Sequence, residues 1–229
     1  MPSILRPTAP FAADAILVGD PGRALLLAQE LLEQPKMSNH ARGLWGYSGR
    51  TPAGEELTIQ STGIGGPSGA MVLAELASLG VLRAVQLGTC RAVAPDLRLG
   101  DLLLVREAIA DDGVGRELGD ATALAPDAEL GAALSAAAEA EGVRKVTIAS
   151  TDLFGRLDGR PAGQWAGRGA AALDMSCAAL FAAGPRCGIA VAALMTVSDV
   201  GSEAIGEEEL QQASVRMGRL ALAALSTSG

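Results

Sequence analysis

Four apolar runs end abruptly in glycine, threonine or aspartate: "DAILVGD" (14–20), "RAVQLG" (83–88), "RKVTIAST" (144–151) and "CGIAVAALMTVSD" (187–199). Short apolar runs bounded by such residues predict strands, and their unbroken apolar character predicts that both faces are covered. Between them lie stretches with helical spacing or helical composition. "GRALLLAQELLEQ" (22–34) stops before Pro35, and "SGAMVLAELASLG" (68–80) has Ser68 near its start and Gly80 as a C-cap. "DAELGAALSAAAEAEG" (127–142) is helical by its alanine content, "MSCAALFAAG" (175–184) follows, and 206–225 form the last helix. "LWGYSGRTPAGEELTIQSTG" (44–63) predicts two strands around a Pro/Gly turn, and "GDLLLVREAI" (100–109) another strand. A glycine- and arginine-rich loop is expected from 152 through 169. The alternation predicts a largely parallel sheet between two layers of helices, a single three-layer α/β domain spanning 1–229. Ligands in such folds collect at the carboxyl ends of the strands, here the loops after Val18, Ile59, Leu87, Ser150 and Val197.

Composition narrows the function. The 229 residues are 49% apolar but only 3% aromatic, so the core is built from Ala, Leu and Val. A formal net charge of −8 argues against nucleic-acid binding, which rests on neutralising phosphates with basic residues. Charge or glycine interrupts every apolar stretch before the roughly 18 residues that a membrane span needs. The N-terminus "MPSILRPTAPFAAD" has no continuous apolar h-region, so the expectation is a soluble cytoplasmic protein. Cys90, Cys177 and Cys187 form no CxxC or Cys/His pair and read as reduced packing thiols. The one histidine, His40, lies in the polar run "KMSNHARG", which makes a His-rich metal site and a Ser–His–Asp triad poor candidates. No metal or organic cofactor is expected.

Several strand-end loops carry chemistry. Gly19-Asp20-Pro21-Gly22-Arg23 is a tight turn that delivers an arginine at a helix start, where backbone N–H groups favour an anion. "STGIGGPS" (61–68) is a second glycine-rich turn opening a helix. Ser198 and Asp199 follow an apolar strand, so a carboxylate stands where a proton could be delivered. Each of these alone is also an ordinary turn or cap.

Taken together, "LVGDPGR", "ARGLWGY", "STGIGGPS", "LGTC" with "LRLGDLLLV", "STDLF" and "TVSD" resemble, in order and spacing, the purine nucleoside and uridine phosphorylases. The resemblance runs from about residue 14 to residue 220. It implies an α/β domain whose central sheet is mixed and partly barrel-like, flanked by helices. It also implies a homo-oligomer, a dimer or a trimer of dimers, in which one subunit completes its neighbour's pocket. The implied reaction is phosphorolysis: inorganic phosphate, as co-substrate, attacks C1′ of a nucleoside and releases the base. Carried over residue by residue, Gly19, Arg23, Arg42 and Thr89 bind phosphate, with Arg42 reaching a neighbouring subunit. Met175, Ser176 and Ile64 surround the sugar. Phe154, Arg160, Asp158 and Arg91 lie by the base, Trp165 matches in the same loop, and Asp199 is the acid that protonates the base. "STGIGGPS" and Arg160 point to a pyrimidine, "TVSD" to a purine.

Three positions depart from that pattern. Gln86 stands where the family has a phosphate-binding arginine, and Arg91 where it has a glycine beside the base. Arg91 could swing back to restore the missing charge, point into the base pocket, or turn out to solvent. Ser176 replaces a glutamate that holds the ribose hydroxyls, and a serine cannot supply a charged bidentate acceptor. No histidine near the N-terminus matches the one the family lends to the next subunit. Loss of the cation at Gln86 keeps a phosphate-independent nucleosidase, or recruitment to another small-molecule pathway, as an alternative. A catalytically silent ligand-binding subunit is the third.

Overall fold

The central strands are buried on both faces, and their alternating side chains divide between two cores. The computed structural model describes residues 4–153, 160, 161 and 163–227. In β1 (Asp14–Val18), β5 (Arg83–Ala92) and β10 (Ala190–Val200), successive residues point to opposite sides of the sheet. Leu17, Ala84, Val191 and Ala193 face one way. They pack with Val72, Leu73 and Leu76 of α2 (Gly65–Ser78) and Leu180 and Phe181 of α6 (Cys177–Cys187). Ile16, Val18, Val85, Leu87, Ala192 and Leu194 face the other way. Against them lie Leu27 of α1 (Pro21–Leu31), Leu130 and Leu134 of α4 (Ala128–Glu139), and Met217 and Leu220 of α7 (Glu207–Ser226). Helices on both faces give the three layers expected.

The sheet is mixed rather than largely parallel. Its remaining strands are β2 (Glu33–Asn39), β3 (Gly46–Arg50), β4 (Glu56–Ser61), β6 (Leu102–Asp111), β7 (Ala123–Leu124), β8 (Arg144–Thr151), β9 (Ala172–Asp174) and β11 (Glu203–Ala204). The strand order is β11-β10-β6-β8-β9-β5-β1-β4-β3-β2. Because β10 also pairs with β5, strands β10, β6, β8, β9 and β5 close into a five-strand ring, with β1 to β4 as a tail. The parallel expectation fails at β6 for a simple reason. Residues 93–101 link β5 to β6 without a helix, too short a path for a parallel crossover. Strand β6 therefore runs antiparallel to β10, which is parallel to β5.

Some elements were not apparent in the sequence. Helix α1 ends at Leu31, and the chain turns directly into β2, where Gln34 has φ 47° ahead of Pro35. Proline disfavours the helical region for the residue before it, and strand β2 is a sheet edge, where proline is tolerated. Strands β7, β9 and β11 are two or three residues long, too short for a periodic signal. Helix α3 (Gly113–Leu118) is nucleated by Asp112, whose side chain accepts from Gly115 N.

Helices α2 and α6 touch through small residues. A Cβ on Gly66 would lie 2.8 Å from Ala179 Cβ, so glycine there allows the close approach. Gly66→Val is expected to force the helices apart and destabilise by about 1–3 kcal/mol. The readout is a lower urea midpoint at unchanged m-value.

Candidate active site

A cavity of about 490 Å3 opens where the carboxyl ends of β1, β4, β5, β9 and β10 meet. Its first wall is the turn after β1. Asp20 caps α1 by accepting from Arg23 N at 2.9 Å, with Pro21 opening the helix. Capping sets the helix start so that the Arg23 side chain folds back over Gly19, where a Cβ would lie 3.9 Å from Arg23 Nη2. Arg23 Nη1 is enclosed and has no hydrogen-bond partner among the described residues. Burial pushes the Arg23 pKa down, and the nearby Asp20 carboxylate works in the opposite direction. A buried guanidinium with an unused donor is a strong centre for an anion.

The second wall is the turn between β4 and α2. Thr62 N donates to Val18 O at 2.7 Å, tying this turn to the end of β1. Gly63 and Gly65 take φ of 75° and 82°, a left-handed backbone that glycine adopts freely. Ile64 between them is 81% exposed. Arg42, in the short 3-10 turn Ala41–Gly43, also lines the cavity and is exposed at its mouth. It holds φ 58° and ψ 18°, which costs a non-glycine residue about 1–2 kcal/mol.

The floor comes from β5, β9 and β10. Gln86, Gly88 and Thr89 of β5 line it, and Gly88 leaves room for Met195, whose Sδ would lie 2.4 Å from a Cβ there. Asp174 is buried and spends its carboxylate on the start of α6. Oδ2 accepts from Ser176 N at 2.8 Å and Cys177 N at 2.7 Å, and Oδ1 accepts from Ser150 Oγ. Ser176 Oγ donates to the same carboxylate at 3.3 Å. Met175 reaches across, its Cε 3.9 Å from where a Gly65 Cβ would stand.

The cavity thus brings together Gly19, Arg23, Arg42, Thr89, Ile64, Met175 and Ser176. Phe154 and Asp158 lie outside the described residues. Arg91, Arg160 and Asp199 are not among the lining residues of this cavity. Arg91 Nη2 donates to Gly201 O at 2.6 Å in the turn before β11, rather than swinging back toward Gln86. Asp199 sits beyond a β-bulge at the end of β10, where its Oδ2 accepts from Ser198 Oγ at 2.6 Å.

Arg160 serves a second cluster. Its Nη1 donates to Asp111, its Nη2 donates to Thr151 Oγ1 at 2.8 Å, and its guanidinium lies 4.6 Å from the Trp165 ring centroid. Arg168 and the Trp165 indole N–H also donate to Asp111, at 3.2 and 3.3 Å.

Sequence reasoning missed Asp20, Asp174, Met195 and Asp111. An aspartate directly before Pro-Gly at a helix start is a readable cap signal. Asp174 lies three residues before α6, where Ser176 holds the cap position, and still accepts from the first backbone N–H groups. Asp111 had little local signal: Arg116 stands 4.0 Å away, but its hydrogen-bond partners Arg160 and Arg168 are 49 and 57 residues away.

Residues 14–226 match the family model described as the phosphorylase superfamily, and the chain belongs to that family. It is 33% identical over 219 residues to a DeoD-type purine nucleoside phosphorylase of Caldanaerobacter subterraneus subsp. tengcongensis, covering 93% of this chain and 94% of that protein. A DeoD-type purine nucleoside phosphorylase of Clostridium perfringens is 31% identical over 224 residues, 95% of each chain. The corresponding protein of Geobacillus kaustophilus is 33% identical over 210 residues, 88% of each.

Burial would raise the Asp111 pKa, but hydrogen bonds from Arg160 and Arg168 outweigh it and bring it below the ordinary 3.8. The stabilisation is therefore complete above that ordinary value and is lost as pH falls through the lower folded-state value. Asp111→Asn is expected to cost about 1–3 kcal/mol at pH 7. In denaturant melts across pH, the gap between wild type and variant should close in acid, below about pH 4.

Proposed function

We propose that this chain is a nucleoside phosphorylase, cleaving a nucleoside with phosphate to give free base and pentose 1-phosphate. The observation that carries this reading is the enclosed Nη1 of Arg23, without a partner among the described residues, in a cavity that also holds Arg42, Thr89, Met175 and Ser176. DeoD-type purine nucleoside phosphorylases among its relatives support the same chemistry. Arg23 and Arg42 hold the phosphate, aided by Thr89 and the backbone at Gly19. The sugar lies over Met175, with Ile64 and Ser176 at its edge. One phosphate oxygen bonds to C1′ as the C1′–N bond breaks. The electron pair goes to the base nitrogen, which takes a proton. Asp199, at the end of β10, is the group we assign to supply that proton. Arg160, committed to Asp111 and Thr151, shapes the loop beside the base rather than reading the base directly. Positioning and charge stabilisation do most of the catalytic work in such a displacement.

A second reading, hydrolysis by water, is favoured by one observation: the neutral Gln86 in the floor of the cavity. Incubation with a panel of purine and pyrimidine nucleosides, with and without phosphate, separates the two. Phosphate-dependent release of base is the expected outcome. Equal release without phosphate would transfer the protein to the hydrolases, and no release from any nucleoside would remove both readings.

Arg23→Ala should raise the KM for phosphate roughly tenfold to a hundredfold, the loss of one or two charged hydrogen bonds. We further propose a homo-oligomer of at least two chains, with Arg42 acting across the subunit boundary. Hybrids of Arg23→Ala and Arg42→Ala subunits then contain one intact site and should regain activity over either variant alone. If Arg42 serves its own chain, no hybrid site is intact and no activity returns.

A further inference from the structure

Gln86 is a neutral amide in the middle of a core strand, between β1 and β10, with Leu17 and Ala193 as its register partners. It is 3% exposed, it lines the cavity, and its Oε1 is enclosed without a hydrogen-bond partner among the described residues. A buried carbonyl with nothing to accept is unfavourable unless a ligand supplies a donor. Arg23 presents the complementary deficit, an enclosed donor with nothing to donate to. The charged side chains lining the cavity are Asp20, Arg23, Arg42 and Asp174, two cations against two carboxylates. The formal charges of that wall cancel, so net charge alone does not separate one dianion from another there. A ligand in the cavity satisfies both groups with an oxyanion oxygen for Arg23 and, once the Gln86 amide turns toward it, an O–H for the carbonyl.

We propose that Gln86 is the specificity-determining residue of the anion subsite, which it makes selective for an oxyanion that still carries a proton. This inference rests on the phosphorolytic reading. Phosphate at neutral pH keeps at least one P–OH, whereas sulfate keeps none. The terminal torsion of a glutamine is broad, so the amide can turn its carbonyl to the P–OH while its N–H₂ meets a second phosphate oxygen. An arginine at this position could donate only, and would treat the two ions alike. The same donor-acceptor pairing extends to arsenate, which shares the protonation chemistry of phosphate.

Calorimetric titration of the whole protein at pH 7 with inorganic phosphate and with sulfate tests this directly. Wild type is expected to bind phosphate at least about tenfold more tightly than sulfate, and Gln86→Arg to bring the two within about threefold by strengthening sulfate. Gln86→Met keeps the volume and removes both hydrogen-bonding groups. It should weaken phosphate without strengthening sulfate, and it keeps the test open if the arginine variant does not fold. Equal binding of the two ions by wild type, or a phosphate-to-sulfate ratio unchanged in Gln86→Met, would overturn the inference. If phosphate drives cleavage while sulfate competes with equal strength, only this inference falls. If wild type binds neither ion, it falls together with the phosphorolytic reading.

Discussion

The pairing of β5 with β10 is the constraint on which the rest depends. It closes the ring, and it runs in register from Arg83 with Ala190 through Cys90 with Val197 before a bulge offsets Asp199 against Arg91. The floor residues of β5 and β10 take their places from that ladder. Gly88 and Met195 are direct partners, which is why the absence of a side chain on one makes room for the sulfur of the other. The ladder also sets the two core faces, because a one-residue slip would exchange them. Gln86 would then leave the cavity, and Val85 or Leu87 would enter it.

The polar groups around the cavity fall into two kinds. Asp174 is satisfied: its carboxylate organises the start of α6 through two backbone N–H groups and two hydroxyls. Asp20 likewise has structural work as a helix cap. Arg23 Nη1 and Gln86 Oε1 have no partner among the described residues, although both are enclosed. Ser38, Gln60, Ser61, Asp112 and Thr196 also hold an enclosed atom without a partner among the described residues, but Arg23 and Gln86 are the two of this set that line the cavity, where a ligand can supply what is missing. Ser176 belongs to the scaffold side, since its backbone N–H and hydroxyl both turn toward Asp174.

Much of this was legible in the sequence because it is local. Apolar runs with period-two burial, helices with caps, and glycine turns at strand ends all leave short-range signals, and the strand-end loops after Val18, Ile59 and Leu87 meet as expected. The mixed, partly barrel-like sheet was legible only through the family resemblance and not in the local patterns, because direction is set by connection length and ring closure. A run such as "GDLLLVREAI" has the same pattern whichever way it pairs. The surroundings of Arg91 and Arg160 were illegible for a related reason. Their partners, Gly201 and Asp111, are 110 and 49 residues distant, and a long side chain at a loop has many candidate partners in one sequence.

The departures at Gln86 and Ser176 share a physical direction. On the family resemblance, each puts a neutral group at the cavity where a charged one is expected. Arg91, the one added cation nearby, is engaged by a backbone carbonyl instead. A pocket changed in this way leans less on Coulomb attraction and more on matched donors and acceptors. Hydrogen bonds between neutral groups are about half as strong as charged ones, so affinity falls while discrimination by ligand protonation rises. On the proposed role of Gln86, a member of this family that keeps Arg23 and Arg42 at the cavity but carries an amide on the β5 strand is suited to a co-substrate recognised by its proton as well as its charge.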